Sequence, residues 1–455
     1  MTDTAPSSGR AGAVVLAGGS GTRMPPGGPP KVLRSLLGKP LVEHVLDAIA
    51  AAGLGGPVVV VVPAGDPGIA RALAARNPAP VFAAQPRPDG TAGALAAAEH
   101  ALAEAAGAAG APPPDTVLVL CGDAPLVRPA TLGRLLAHHR QRAAAATVLT
   151  ARLREPGGYG RIVRGPRGEL LRIVEEPECS PAERAIEEVN AGVFALATEG
   201  LWTALASLPA THAKGERYLT DLVALLAARG QRLEALLADD PSEALGVNTL
   251  ADLAAAGAVL RRRHVEQLLA AGVEIPWPDA VWIEADVTVA PGARIEPFTV
   301  LRRGVRVGPG AVVGPFAHLG PGAVLQERAE VGNFVEVKRT LLGAGAKAKH
   351  LAYLGDGTVG AGANIGAGTI FCNYDGRHKH PTVVGAGAQI GSGTLLVAPV
   401  EVGAGARTGA GAVVTRGRRI PEGETWVGVP AAPLRRPAGA SGAAGGGERG
   451  EERPA

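Results

Sequence analysis

Val289-Ala290-Pro291-Gly292-Ala293-Arg294-Ile295 opens a pattern that decides the fold of the second half of the chain. A branched aliphatic recurs at every sixth residue: Val289, Ile295, Leu301, Val307, Val313, Leu319, Leu325 and Val331. Turn units such as Gly308-Pro309-Gly310-Ala311 stand between them. The phase resumes with Val384, Ile390, Leu396, Val402 and Val414, broken only at Thr408. A period of six with one buried aliphatic and small turn residues marks a hexapeptide β-helix. Three hexads make one triangular coil, and stacked coils bury each other's aliphatics. Collagen requires a period of three and is excluded.

N-terminal to this repeat the pattern changes. From Ala11 to about Asn248, β-branched runs (Ala13–Leu16, Pro57–Val62, Thr116–Leu120, Thr147–Thr150) alternate with Ala/Leu-rich stretches. The latter read as helices over Leu41–Ala52, Thr91–Ala109, Pro129–Ala137 and Thr220–Ala228. That alternation implies an α/β layer fold, Rossmann-like, with a mostly parallel sheet. Thr249–Ala271 reads as a linking helix, with Arg261-Arg262-Arg263 on its solvated face. The expected organisation is a flexible N-terminus over 1–10, an α/β domain over 11–248, a helical linker over 249–280, a β-helix over 281–436 and a disordered tail over 437–455.

Composition agrees with that division. The 455 residues include 65 Gly and 38 Pro, yet 46% are apolar, too many for a disordered chain. Corners of a solenoid account for much of the glycine. Lysine supplies 7 of the 45 Lys and Arg residues, so a surviving lysine marks a place where an ammonium is wanted. Net charge is +3, without a basic, aromatic-interleaved block, which argues against nucleic acid. Cys121, Cys179 and Cys372 are scattered and odd in number, as in a reducing compartment. With neither a signal-type apolar segment nor a membrane span, the expected location is the cytoplasm.

Two clusters carry chemistry. Leu16-Ala17-Gly18-Gly19-Ser20-Gly21-Thr22-Arg23 follows the first strand, where glycines let backbone N–H groups approach an anion and Arg23 adds a fork of donors. It lacks the Gly-Lys-Ser/Thr of a P-loop. Lys31 follows eight residues on. Leu118–Asp123 is a strand ending in a carboxylate, at the end of an open α/β sheet where ligands bind. Asp123 either holds Mg²⁺ against a triphosphate or caps the helix starting near Pro129. The second cluster lies where the hexad phase breaks: Glu336, Lys338, Lys347, Lys349, His350, Tyr353, Asn364, Asn373, Tyr374 and Lys379. A lone histidine is ordinarily structural. His350, set between Glu336 and Tyr353 in a polar stretch, reads better as part of a site.

The motifs Leu16–Met24, Lys31-Val32-Leu33, Gln85 with Gly90-Thr91, Gly122-Asp123, Gly158–Arg161, Glu175, Asn190–Gly192, Gly215–Asp221 and Gly246–Asn248 occur in the order found in sugar-phosphate nucleotidyltransferases. With the hexapeptide half, residues 11–432 closely resemble the bacterial bifunctional UDP-N-acetylglucosamine pyrophosphorylases/glucosamine-1-phosphate N-acetyltransferases. The resemblance implies a nucleotidyltransferase domain followed by a left-handed parallel β-helix and a homotrimer. It implies acetylation of glucosamine 1-phosphate by acetyl-CoA, then uridylyl transfer from UTP, making UDP-N-acetylglucosamine for the cell envelope. By resemblance, Leu16, Ala17, Gly18 and Gly19 bind the nucleotide, the Gly18–Arg23 loop holding the UTP phosphates that Arg23 and Lys31 neutralise, while Asp123 and Asn248 ligate Mg²⁺. Gln85, Gly90 and Thr91 read uracil; Gly160, Glu175 and Asn190 bind N-acetylglucosamine. His350 is the implied general base, oriented by Glu336. Lys338, Tyr353 and Asn364 bind glucosamine 1-phosphate. Asn373 and Tyr374 are implied to bind glucosamine 1-phosphate and acetyl-CoA, whose groove Ala367, Ser392 and Ala410 line.

Three departures from the family pattern stand out. Gly320 occupies a position where the family has an arginine, eighteen residues before Lys338. Val427-Gly428-Val429-Pro430 lacks the arginine the family places near the cofactor. The stretch before Val313 is shorter by roughly two coils. Arg302, one coil period before Gly320, is the candidate to replace the missing charge. The alternative reading is a monofunctional sugar-phosphate nucleotidyltransferase whose β-helix serves oligomerisation or regulation.

Overall fold

The computed structural model describes residues 10–19, 23–25, 27–210, 212 and 215–434. The expectations for 437–455 and, apart from Arg10, for 1–10 lie outside the described residues. The chain divides into two compact units between Arg263 and His264.

The first unit is built on a twisted sheet. Its main strands are β1 (Ala11–Leu16), β2 (Gly55–Pro63), β3 (Val81–Gln85), β4 (Thr116–Cys121), β5 (Ala146–Arg152), β6 (Glu188–Ala197) and β7 (Leu233–Leu237), with the strands Arg161–Arg164 and Leu170–Val174 joined on at β6. Their order is β7-β5-β6-β4-β1-β2-β3. β6 runs antiparallel to β4 and β5, whereas β1 is parallel to β2 and β4. The valines of β2 lie between two helical layers, which is why they form a run instead of alternating.

Helices pack on both faces: α1 (Leu41–Ala52), α2 (Thr91–Ala96), α3 (Glu99–Ala108), α4 (Pro129–Gln141) and α5 (Leu219–Ala228). The single helix expected over Thr91–Ala109 is two. At Ala97 and Ala98 ψ is −17° and −13°, tightening the chain into a short turn between them. Helix α6 (Leu250–Ala270) opens with a capping box, Asp252 N–H donating to Thr249 Oγ1 and Thr249 N–H to Asp252 Oδ2. Arg263 does not sit on a solvated face. It donates to Leu126 O, Asp240 Oδ2 and Ser242 Oγ, so the basic cluster is partly a structural anchor. Among the described residues no helix is long and apolar enough to cross a membrane.

The second unit is a parallel β-helix. Its strands stack in three files beginning at Trp282, Thr288 and Arg294. Partners advance by one 18-residue coil, Trp282 to Val300 to His318 to Glu336. Two shorter steps follow, Glu336 to Tyr353 to Ile370, and then a long one, Ile370 to Leu395, that accommodates the excursion around Asp375. Those unequal coils are the phase break seen in the sequence. The hexad aliphatics fill the interior, Ile295, Leu301, Val313, Leu319 and Leu396 being completely buried. Each contributes about 1.5–3 kcal/mol relative to exposure. Thr408 also points inward. Its hydroxyl accepts from Gly391 N–H at 2.9 Å and bonds Thr394 Oγ1 at 3.0 Å, so the polar group is satisfied.

Candidate active sites

In the first unit the carboxyl ends of β1, β3 and β4 meet at a cleft. Leu16 pairs with Cys121, and Gly122 N–H donates to Leu16 O at 2.9 Å. Leu16, Gly18, Gly19, Arg23, Lys31, Gln85, Gly90, Thr91 and Asp123 line the cleft, and Ala17 borders its continuation. Ser20, Gly21 and Thr22 lie outside the described residues. Lys31 Nζ forms an ion pair with Asp123 and donates to Asn248 Oδ1 at 3.0 Å. Arg23 donates to the same amide oxygen at 2.9 Å. Asn248 is set there by helix α6, whose Asp252 accepts its backbone N–H.

Asp123 is thus not a helix cap. The start of α4 is held from a distance by Glu243, which accepts from Arg128 N–H and Thr131 Oγ1. A carboxylate and an amide oxygen converge on one ammonium, and two hard oxygens suit Mg²⁺ completed by phosphate and water. No larger cluster of His, Cys, Asp or Glu able to hold a metal occurs among the described residues. Cys121 is no nucleophile, since burial first, then Asp123, pushes its thiol up to about 12.

The proposed sugar residues gather at one place. Asn190 N–H donates to Gly160 O at 2.8 Å, and a β-carbon on Gly160 would stand 3.5 Å from the Glu175 carboxylate. Burial raises the pKa of Glu175 despite a hydrogen bond from Thr220 Oγ1 at 3.0 Å. Glu216 and Tyr218 also line the cleft, and the Gly215–Asp221 motif is the sequence signal for them. Gly90 adopts φ +96°, and a β-carbon there would fall 2.3 Å from Arg217 O, so only glycine lets these segments join.

In the second unit Lys338 stacks between Gly320 and Gly355 on consecutive coils. Tyr353 Oη and Asn373 Nδ2 lie over Gly355, and Asn373 donates to Asp356 at 2.5 Å. Asp356 in turn takes two bonds from Arg339, at 2.5 and 2.8 Å. The Arg339 guanidinium holds the Asp356 carboxyl below its usual range. Sequence reading missed this pair; Gly355-Asp356 in the polar stretch was the available signal. Arg302 is held by Glu284 on the preceding coil at 3.0 Å and by His318 Nε2 on the following coil at 3.3 Å, and no hydrogen bond or ion pair joins it to Lys338's surroundings beyond His318 among the described residues.

Asn333 pairs with His350, and the register continues through Ala367, Ser392 and Ala410 on successive coils of one corner. The adjoining corner positions change character at the same point. Phe298, Phe316 and Phe334 stack at 4.8 and 5.2 Å, Leu351 follows, and then Gly368, Gly393 and Gly411. Bulky corner residues thus give way to glycine beyond Leu351, next to His350. Among the described residues no hydrogen bond or ion pair joins His350 to Glu336, which instead pairs through its backbone with His318 and Tyr353. Asn364 lies in the file of Lys347 and Gln389, on the face that meets that of Tyr353 at the His350 corner. Tyr374 is exposed and turns its hydroxyl to Gly376 O.

A glycine-containing strand end meets a Lys–Asp–Asn cluster here, and residues 12–279 match the family described as "Nucleotidyl transferase". The match to whole proteins extends over both units. The chain is 41% identical over 422 residues to the "Bifunctional protein GlmU" of Pelotomaculum thermopropionicum, covering 86% of this chain and 90% of that one. It is 42% identical to the protein so named from Trichlorobacter lovleyi (85% and 89%) and 43% to that of an Anaeromyxobacter species (86% and 84%). The chain belongs to the bifunctional GlmU family, the UDP-N-acetylglucosamine pyrophosphorylases and glucosamine-1-phosphate N-acetyltransferases. Nucleotidyltransferases of this family generally use Mg²⁺.

Proposed function

We propose that residues 11–248 carry the uridylyl transfer, residues 281–436 the acetyl transfer, and 249–280 link them. In the first reaction an oxygen of N-acetylglucosamine 1-phosphate attacks the α-phosphorus of UTP and the bond to pyrophosphate breaks. Such a step needs in-line positioning and charge neutralisation and no covalent nucleophile. Arg23, Lys31 and the loop opening at Gly18-Gly19 hold the phosphates, with Leu16 and Ala17 beside the nucleotide. Asp123 and Asn248 would hold Mg²⁺, which when bound neutralises phosphate charge. Gln85 Oε1 and the Gly90 N–H offer an acceptor beside a donor, matching N3–H and O4 of uracil, with Thr91 alongside. Gly160, Glu175 and Asn190 hold the sugar.

In the second reaction the glucosamine nitrogen attacks the acetyl-CoA thioester carbon, the C–S bond breaks, and the thiolate leaves to be protonated. His350 takes the proton from the amine, and Glu336 orients its imidazole when the site closes. Lys338, Tyr353 and Asn364 bind glucosamine 1-phosphate. The groove of Ala367, Ser392 and Ala410, bordered by Asn373 and Tyr374, receives acetyl-CoA. His350 is exposed in a single chain, so neighbouring copies in a homotrimer would supply the remaining wall. Three free thiols and the substrates suit a cytoplasmic enzyme.

The observation that carries this reading is the meeting of Asp123, Lys31 and Asn248 in one cleft with Gln85 and Gly90. The test is to follow, on one preparation, pyrophosphate release from UTP plus N-acetylglucosamine 1-phosphate and thiol release from acetyl-CoA plus glucosamine 1-phosphate. His350→Ala should abolish thiol release alone. Loss of both activities, or of neither, would overturn the assignment.

A further inference from the structure

Gln85 ends β3 and is buried, 7% exposed, yet its side chain reaches the cleft. Its amide nitrogen has two hydrogens, and both are spent. One goes to Asp89 Oδ1 at 2.9 Å and the other to Gly90 O at 3.2 Å. An amide so committed presents only its oxygen. That oxygen faces Gly18, where a β-carbon would stand 2.9 Å away.

Asp89 is itself held on both sides. Arg217 Nη2 donates to Asp89 Oδ2 at 2.5 Å, and Arg217 N–H donates to Asp89 O at 2.8 Å. Arg217 O accepts from Ala92 N–H at 3.0 Å, closing a small ring of bonds around Gly90. Although burial acts to raise the Asp89 pKa, the bonds from Arg217 and Gln85 outweigh it and keep the carboxyl low. An ionised carboxylate accepts and never donates, so it tolerates the Gln85 NH₂ and repels the reversed amide.

We propose that Asp89, braced by Arg217, is the positioning residue that sets base selectivity, because it fixes the Gln85 amide with its oxygen toward the base. This rests on the reading that Gln85 and Gly90 face the base. An acceptor at that point suits a pyrimidine with an N3–H, as in uracil. Cytosine carries a lone pair at N3 and would meet oxygen against nitrogen. Asparagine at position 89 releases the Asp89 part of the constraint, since its own NH₂ can donate to Gln85 Oε1 and let the amide turn, with Gly90 O left to oppose it. Glutamate keeps an acceptor-only group.

The experiment compares kcat/KM for UTP and CTP in the full-length Asp89→Asn, Asp89→Glu and Gln85→Ala proteins, with pyrophosphate release as readout. Both nucleotides are assayed on one preparation, so the UTP/CTP ratio does not depend on the fraction folded. Asp89→Asn should lower the ratio at least tenfold, Gln85→Ala should lower it too, and Asp89→Glu should retain most of it. A ratio unchanged in Asp89→Asn but lowered in Gln85→Ala overturns the role of Asp89 and leaves the base reading intact. A ratio unchanged in Gln85→Ala overturns the base reading, and the proposal with it.

Discussion

The stem of Lys338 lies against Gly320: a β-carbon placed on Gly320 would stand 3.2 Å from Lys338 Cγ and 3.4 Å from Lys338 Cβ. Lys338 forms no ion pair among the described residues, so its ammonium rises alone from a slot walled by Gly320 and Gly355. Gly320 does not have a positive φ, and the neighbour it crowds is a flexible side chain. An arginine there would run beside Lys338 and offer the sugar phosphate a second cation. Charged hydrogen bonds of this kind are worth about 1.5–3 kcal/mol. Gly320→Arg should therefore lower the acetyltransferase KM for glucosamine 1-phosphate about tenfold or more, leaving pyrophosphate release unchanged. An unchanged KM would place the phosphate elsewhere.

Lys31 stands between the two oxygens assigned to Mg²⁺, bonded to both Asp123 and Asn248. The ammonium marks the position of positive charge and must turn toward the phosphates when the metal enters. Asp123→Asn keeps the shape and removes the charge. Losing a group of this type in an electrostatically organised site costs about 10²–10³ in turnover. Pyrophosphate release should fall by that factor, with a higher Mg²⁺ requirement, while thiol release stays within twofold. Parallel loss of both activities would indicate damage to the fold instead.

Thr408 tests the β-helix interior. Its hydroxyl satisfies Gly391 N–H and Thr394 Oγ1 although the hexad rule calls for an aliphatic. Thr408→Val restores the pattern but orphans the Gly391 N–H, whereas Thr394 Oγ1 keeps its bond to Gly391 O at 2.7 Å. A buried donor left unsatisfied costs about 1–3 kcal/mol. The melting transition of the second unit should therefore move down, and a rise would show that transfer free energy outweighs the lost bonds.

Much of this is legible in the sequence, and unevenly so. The six-residue period is a local rule repeated many times, so the Leu301 and Leu319 positions could be assigned to the interior one by one. Strands β1, β2, β4 and β5 announced themselves as β-branched runs. β6 and β7 did not, because Glu188-Val189-Asn190 and Leu233-Glu234-Ala235 carry charge or helix-favouring residues, and their place comes from pairing with β5. The site motifs were recognisable as short strings, but not the groups that hold them. Asp89 and Arg217 are 128 positions apart, and no spacing rule joins them. Arg302 shows the converse. Its coil position was foreseeable, yet Glu284 and His318 decide where it points.

His139 gives the pH test of the first unit. It sits in α4, 3% exposed, with Nδ1 bonded to Thr147 Oγ1 at 3.0 Å. Burial, then the charge of Arg140, lowers its pKa to about 4, against about 6.5 when unfolded. The folded state thus holds a neutral imidazole that the unfolded state protonates first. Between pH 6.5 and 4 the unfolded chain binds more protons, so stability is fully present above 6.5 and falls as pH drops through the window. At about 1.4 kcal/mol per unit, the loss attributable to this one group approaches 3 kcal/mol by pH 4. Chemical denaturation of the first unit at pH 7.5 and pH 4.5, in the parent and in His139→Gln, measures it. The glutamine protein should lose less stability between the two pH values, by roughly 1–3 kcal/mol. Equal losses in both proteins would mean that His139 is protonated in place, with the acid sensitivity residing in other groups.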